Sequence, residues 1–213
     1  MKIKAIIFDI GGVLSLGRSS FISRRKNNPL GVHEYIAKKL KISLDQYFDS
    51  IDTAYSKSIT GEISEKKTLI QISKNLKTTQ KKLIKDYSKA YKNNFKINKK
   101  LYKFAFKLKK EGYKIAILSD QWSLSKKSHR LIDNNLIDKF NVVVFSCDVG
   151  MRKPNPKIYK LILKKLRLKP EECLFIDNQK WNLEPAKKLG IKIILFKDNQ
   201  QLFENKIWKS LFK

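Results

Sequence analysis

Short apolar runs alternate with segments of helical periodicity over much of the chain. The runs cover residues 3–8, 115–119, 142–146, 173–177 and 191–196. Apolar residues at helical spacing flank these runs at 99–111, 124–133, 156–166, 182–189 and 199–210. Strands that alternate with helices form parallel sheets covered on both faces. The pattern predicts an α/β fold with a doubly wound, Rossmann-like sheet of five parallel strands.

The segment between residues 15 and 96 breaks this alternation directly after the first strand. Its apolar residues recur at helical spacing, and nothing in it predicts a strand. Helix N-caps are expected at three positions, Ser43, Ser64 and Thr79. We therefore predict a core domain of residues 1–14 and 97–213, with an all-helical cap of residues 15–96. The cap would lie above the carboxyl ends of the strands, where ligands bind in such sheets.

The composition is typical of a globular protein without a membrane segment. Apolar residues make up 42 % of the 213 residues, and no apolar run approaches the ~20 residues that a membrane span needs. The first residues form a strand pattern without a cleavage site for a signal peptide. Two cysteines, Cys147 and Cys173, indicate reduced thiols rather than a disulfide framework. A cytoplasmic location is the expectation.

The formal net charge of +28 raises the question of a polyanionic partner. The basic residues are 41 Lys and 6 Arg, and the lysines are spread over nearly every segment. Arginine is the better reader of phosphates and base edges, so this pattern favours a solvated surface. We expect weak nonspecific binding to nucleic acid at low salt, no specific nucleic-acid partner and no membrane partner. A monomer and a homodimer both remain open, as does any functional use of the charge.

Polar side chains follow the predicted strands at one edge of the sheet. Asp9 follows the first strand, Ser119 and Asp120 end the second, and Asp177 and Asn178 end the fourth. After the third strand, "CDVGMRKPNPKIY" places a lysine, Lys153, at the entrance to a helix. Because parallel strands share their carboxyl ends, these groups would converge. Two carboxylates, a hydroxyl and an ammonium are suited to a metal-bound phosphate.

Each of these residue types has a role in that chemistry. Asp9 could attack phosphorus as a carboxylate nucleophile. The oxygens of Asp9, Asp177 and the Gly11 carbonyl are ligands that Mg²⁺ prefers. Gly11 and Gly12 would let backbone amides approach phosphate oxygens. A hydrogen bond from Ser119 and the positive charge of Lys153 would then stabilise the phosphoryl group during transfer.

The four motifs together resemble those of the haloacid dehalogenase superfamily, in the right order. They are "FDIGGVL", "ILSD", "GMRKPNPKIY" and "FIDNQKWNLEPAKKLG", and the helical insertion is similar to the cap of the subfamily with helical caps. "DVGMRKP" and "TGEIS" most resemble the branch of α-D-glucose-1-phosphate phosphatase and the epoxide-hydrolase N-terminal domain. The resemblance implies a Mg²⁺-dependent phosphatase that acts on a small, sugar-phosphate-like metabolite through an aspartyl-phosphate.

Two positions depart from the pattern of most phosphatases in this superfamily. Gly11 stands where most carry an aspartate as general acid and base, and the loss of a general acid typically costs ~10²–10⁴ in rate. The glucose-1-phosphate phosphatase branch also carries glycine there, so inactivity does not follow. Asn178 stands where a second acid is common. It can accept a hydrogen bond from a metal-bound water but brings no charge, which predicts weaker metal affinity.

Further positions have weaker support as substrate contacts. Arg24, beside Arg25 in the cap, could grip a substrate anion or be a solvated charge. Glu62 in "TGEIS" could contact substrate or belong to a turn. His33 could replace the missing acid, although surface or packing roles are more usual for a single histidine. We interpret three further residues, His129, Trp122 and Trp181, as packing or rim residues.

Two alternative functions remain open at this point. A metal-independent 2-haloacid dehalogenase would also use Asp9 as nucleophile, but such relatives usually have a tyrosine-type residue at position 11, and Asp177 argues mildly against it. A catalytically impaired protein that binds a phosphorylated ligand or a polyanion would explain the departures at Gly11 and Asn178.

Overall fold

A computed structural model describes residues 2–17, 31–126 and 136–211. Within these ranges five parallel strands form the main sheet, in the order β5-β4-β1-β6-β7. These strands are β1 (Ala5–Phe8), β4 (Lys114–Ser119), β5 (Val142–Phe145), β6 (Cys173–Asp177) and β7 (Lys192–Leu195). The predicted α/β fold with its five-stranded parallel sheet is confirmed. No helix in the described ranges is long and apolar enough to cross a membrane.

The central strand β1 explains why the sheet is so apolar. All of its residues are buried, since it pairs with β4 on one side and with β6 on the other. One face of the sheet packs on a cluster that contains Phe8 and Trp208, and the other on a cluster that contains Tyr159 and Phe175. In this register Phe8 is paired with Ile117 and with Ile176, so the three strands end at the same edge.

Helices α1 to α4 lie within the segment predicted to be a cap, and these four helices are called the cap below. They are α1 (Val32–Leu40), α2 (Leu44–Ile59), α3 (Glu65–Asn75) and α4 (Gln80–Asn94). The predicted caps have the expected hydrogen bonds: the side chain of Ser43 accepts from the Gln46 amide at 3.1 Å, and that of Ser64 from the Lys67 amide at 3.3 Å. The helices enclose an apolar cluster of their own, which also contains Trp122 from the loop after β4.

The expectation that residues 15–96 contain no strand is wrong. β2 (Ser15–Gly17) and β3 (Phe95–Ile97) pair antiparallel where the chain leaves the core and returns to it. Three-residue strands are too short to show an alternating pattern, and pairing alone holds them. Asn98 fastens this junction, because its side-chain amide donates to the carbonyl of Val13 at 2.9 Å.

The remaining helices cover the sheet. They are α5 (Lys99–Lys110), α6 (Ser146–Val149), α7 (Pro156–Leu166), α8 (Lys180–Lys188), α9 (Asn199–Glu204) and α10 (Lys206–Ser210), and residues 123–126 are also helical. One helix was predicted over 199–210, but the structure has two. Asn205 divides them because its side chain accepts from the amides of Ile207 and Trp208 and so begins α10.

Candidate active site

A buried ion cluster occupies the edge where β1, β4 and β6 end. Lys153, on the loop between α6 and α7, places Nζ 3.0 Å from Asp9 Oδ1 and 2.7 Å from Asp177 Oδ2. The three residues are 4 %, 6 % and 0 % exposed respectively, so water contributes little screening. The backbone amide of Lys153 also donates to Asp120 Oδ1 at 3.1 Å. Residues more than 140 positions apart in sequence therefore meet in one site.

Burial and charge act against each other in this cluster. Burial raises the pKa of the Asp9 carboxyl from 3.8 to about 6, although the Lys153 ammonium partly opposes this shift. Burial alone would lower the pKa of Lys153, but the neighbouring carboxylates outweigh it and hold that pKa well above its ordinary value. Burial also raises the pKa of Asp120. Lys153 is therefore a permanent cation beside the carboxylate of Asp9.

Asp177 is held rigidly by groups of its own loop and of α8. Its Oδ1 accepts from the backbone amide of Gln179 at 2.7 Å. The side-chain amide of Asn182 donates to both carboxylate oxygens, at 3.2 and 3.1 Å. Sequence reasoning missed Asn182, although it lies within the fourth motif. Its position five residues after Asp177, on the first turn of a helix, was the available signal.

Ser119 has a partner that sequence reasoning also missed. Gln121 donates from Nε2 to Ser119 Oγ at 2.9 Å. With that lone pair occupied, the hydroxyl hydrogen of Ser119 is available for another acceptor. The loop is fixed in turn by Ser146, whose Oγ accepts from the Gln121 amide at 3.0 Å.

The glycines after β1 differ in what they allow. Gly12 has φ +85°, and a Cβ built there would lie 2.2 Å from Nδ2 of Asn178. Only glycine fits this position. Gly11 lies outside the left-handed region, and the nearest atom to a Cβ there is Asp9 Oδ2 at 4.0 Å. A side chain at position 11 would therefore have room and would point toward the nucleophile candidate.

The donor set fits a magnesium ion. Asn178 Oδ1 is buried and has no hydrogen-bond partner within the described part of the chain, which leaves it available to a cation or its water. Asp9 and Asp177 supply carboxylate oxygens nearby. No group of three or more His, Cys, Asp or Glu side chains at metal-binding spacing occurs in the described ranges. Mg²⁺ commonly uses one or two carboxylates and completes its shell with water and substrate phosphate, so two carboxylates are sufficient.

The weaker candidates that the structure describes have partners outside the ion cluster. Arg24 lies outside the described residues. Glu62 is exposed in the turn after α2, where Thr60 Oγ1 donates to its Oε1 at 2.6 Å. His33 packs inside the cap with Nδ1 3.0 Å from the hydroxyl of Tyr47, and burial lowers its pKa to about 4. It therefore stays neutral near pH 7 and is a poor proton donor.

Sequence comparison identifies the family and several relatives. The haloacid dehalogenase-like hydrolase family model matches residues 3–190. A stretch of 63 residues is 44 % identical to bifunctional epoxide hydrolase 2 of Rattus norvegicus, covering 30 % of this chain and 11 % of the relative. Another of 73 residues is 35 % identical to glyceraldehyde 3-phosphate phosphatase of Pyrococcus furiosus, covering 34 % and 30 %. The matched stretches thus span less than a third of these relatives.

Solved structures share the fold over nearly the whole chain. A family enzyme from Bacteroides thetaiotaomicron, in complex with magnesium and inorganic phosphate, superposes with a TM-score of 0.73 at 22 % identity, over 95 % of this chain and 100 % of that one. The L-2-haloacid dehalogenase of Xanthobacter autotrophicus superposes with a TM-score of 0.56 at 16 % identity, over 98 % and 84 %. This chain therefore shares its fold with both structures.

Proposed function

This chain belongs to the haloacid dehalogenase-like hydrolases, and on that premise we propose that it is a Mg²⁺-dependent phosphatase of small phosphorylated metabolites. The observation that carries the proposal is the position of Lys153 Nζ between the buried carboxylates of Asp9 and Asp177, at 3.0 and 2.7 Å. A carboxylate next to a fixed cation can approach an anionic phosphate with less repulsion. The phosphatase relatives support the same reaction.

The proposed reaction has two steps. A carboxylate oxygen of Asp9 forms a bond to phosphorus while the bond from phosphorus to the leaving oxygen breaks, which gives an aspartyl-phosphate. Water then attacks that phosphorus and releases inorganic phosphate and the Asp9 carboxylate. Lys153 offsets negative charge in both steps, and the Ser119 hydroxyl donates to a phosphoryl oxygen. Mg²⁺, held by Asp9, Asp177, Asn178 Oδ1 and the Gly11 carbonyl, would supply further positive charge against the phosphoryl oxygens.

Gly11 limits which substrates react fast. Since no acid stands at this position, the leaving oxygen takes its proton from water. Substrates whose leaving group needs little protonation, such as an anomeric sugar phosphate or an acyl phosphate, should therefore be the best.

Phosphate release from a panel of phosphate esters tests the proposal. The panel contains glucose 1-phosphate, glyceraldehyde 3-phosphate, acetyl phosphate and a nucleoside monophosphate, each with Mg²⁺ and with chelator. Metal-dependent release that is lost in Asp9→Asn is the expected result. Halide release from 2-haloacids in the presence of chelator would instead establish the dehalogenase. Phosphate binding without any turnover would establish a binding protein.

A further inference from the structure

We propose that Tyr55, on α2 of the cap, selects the substrate through a hydrogen bond between its phenol hydroxyl and a hydroxyl group on the leaving part of the phosphate ester. The inference rests on the proposed phosphatase function and names the substrate class, a phosphorylated polyol or sugar. It assigns a role to a residue that lies outside all four sequence motifs.

The carboxyl end of α2 rests on the loops that form the catalytic site. Ser58 Oγ lies 3.5 Å from Ser123 Oγ, on the loop that follows Ser119. Gly61, in the turn after α2, approaches the core so closely that a Cβ there would lie 2.3 Å from the carbonyl oxygen of Cys147. This end of the cap is therefore fixed against the core, and Tyr55 lies within one turn of Ser58.

The ring of Tyr55 is held between two aromatic neighbours. It contacts Trp122 edge to face, with ring centroids 5.4 Å apart, and His33 likewise at 5.9 Å. Trp122 is buried and follows Asp120 by two positions. Because rings packed on two sides cannot swing freely, the phenol hydroxyl of Tyr55 has a defined direction.

Charges of the catalytic loops act on that hydroxyl. The pKa of Tyr55 is raised to about 12, mainly by burial and to a smaller extent by the Asp120 carboxylate, whereas the Arg152 guanidinium acts to lower it. Asp120 directly follows Ser119, and Arg152 directly precedes Lys153. The Tyr55 phenol is therefore within electrostatic range of both loops, and its ring packs against Trp122 of the loop that carries Asp120. It stays protonated at neutral pH and is a neutral donor and acceptor.

Tyr55 is partly buried, and it differs from the buried phenols of the cap because its hydroxyl has no hydrogen-bond partner among the described residues. The hydroxyls of Tyr47 and Tyr87 bond to each other, and that of Tyr91 accepts from Trp122 Nε1 at 3.1 Å. Across residues 2–17, 31–126 and 136–211, no group forms a hydrogen bond with the Tyr55 hydroxyl. The residue is only partly buried and its oxygen is not fully enclosed by protein, so the hydroxyl is open to water or to a ligand.

The chemistry of the phenol indicates what it pairs with. In the proposed reaction Asp9, Ser119 and Lys153 contact the phosphoryl group. A substrate group that contacts the cap is therefore part of the leaving group. A neutral hydroxyl that can donate and accept matches a substrate hydroxyl. Hydroxylated leaving groups should therefore be preferred over alkyl groups of the same size.

The test compares two substrates that differ only in hydroxyl groups, glycerol 3-phosphate and n-propyl phosphate. Tyr55→Phe removes one oxygen and keeps the ring packing. We expect kcat/KM for glycerol 3-phosphate to fall by about fivefold to tenfold, the range for one neutral hydrogen bond, and that for n-propyl phosphate to change by less than about twofold. Tyr35→Phe, a partly buried cap tyrosine on α1, is the matched control and should leave both values unchanged.

Other outcomes overturn the inference. Equal losses on both substrates would show that the phenol only supports packing, and no loss on either would show that it does not touch substrate. A wild-type enzyme that does not prefer glycerol 3-phosphate would also reject it. If the wild type releases phosphate from neither ester nor from the wider panel, the phosphatase proposal itself fails, and this inference fails with it. Inhibition by inorganic phosphate should be unchanged in Tyr55→Phe, which separates a leaving-group contact from damage to the phosphoryl site.

Discussion

Replacing Asp9 with asparagine is expected to stabilise the metal-free protein while abolishing its turnover. Burial raises the pKa of Asp9 from 3.8 to about 6, so the folded state binds this proton more tightly than the unfolded state does. The stability contributed by the protonated carboxyl is complete below pH 3.8 and is lost as pH rises through about 6. Above that pH the ionised Asp9 lowers the free energy of unfolding.

The magnitude follows from the two pKa values. At 1.36 kcal/mol for each tenfold change in acidity, the difference between 3.8 and about 6 corresponds to about 3 kcal/mol. Asparagine has the same shape and no charge, so the substitution removes this cost. It also weakens one of the two contacts of Lys153, which keeps Asp177 at 2.7 Å. We therefore expect a net gain of about 1–3 kcal/mol at pH 8 and a smaller gain at pH 5.

Urea unfolding with a chelator present measures this directly. Urea is uncharged and leaves the electrostatics of the cluster unscreened. Asp52→Asn, on the exposed face of α2, changes the net charge by the same amount and should leave the free energy of unfolding nearly unchanged. A loss of stability in Asp9→Asn at pH 8, or a gain that does not depend on pH, would refute the electrostatic account.

Three further predictions, two of them with a control substitution, test other parts of the structure. Lys153→Met leaves two buried carboxylates without a counter-charge, so turnover should vanish and the free energy of unfolding at pH 8 should fall by about 3–5 kcal/mol; a loss of equal size at pH 5 would contradict this. Trp122→Ala should cost about 3–5 kcal/mol in the same assay, because the side chain is 1 % exposed, whereas Trp181→Ala, at 60 % exposed, should cost less than about 0.5 kcal/mol. Gly12→Ala should lower the free energy of unfolding by at least about 2 kcal/mol and abolish phosphate binding, whereas Gly11→Ala should fold normally. Comparable losses of stability in both variants would mean that the contact with Asn178 does not decide the effect.

The sequence predicted the elements whose signal is local. Buried parallel strands are continuous apolar runs, and the register of the sheet then carries Asp9, Ser119 and Asp177 to one edge. β2 and β3 were not predicted because a three-residue strand has no periodicity of its own. The hydrogen-bond partners of the site residues were not predicted for a different reason.

Amide side chains such as Gln121 and Asn182 serve many purposes in proteins. Which oxygen they face depends on the turn of a loop or a helix, and no pattern of residue types encodes that turn. That the Tyr55 hydroxyl has no hydrogen-bond partner among the described residues could not be predicted either, because it depends on how the cap packs on the core. Glu62 was singled out from the wording of a motif, whereas the contacts of its turn involve Gly61 and Cys147.

The placement of Trp122 has a consequence for how the protein unfolds. Its backbone belongs to the loop that follows β4, whereas its side chain is part of the apolar cluster of the cap. If the core unfolds, the Trp122 indole leaves the apolar cluster of the cap. If the cap unfolds, the same indole becomes exposed to water. Cap and core should therefore unfold in a single cooperative transition. Transient loosening of the cap should also displace the loop that holds Ser119. A substrate that stabilises the cap therefore stabilises the groups that bind its phosphate as well.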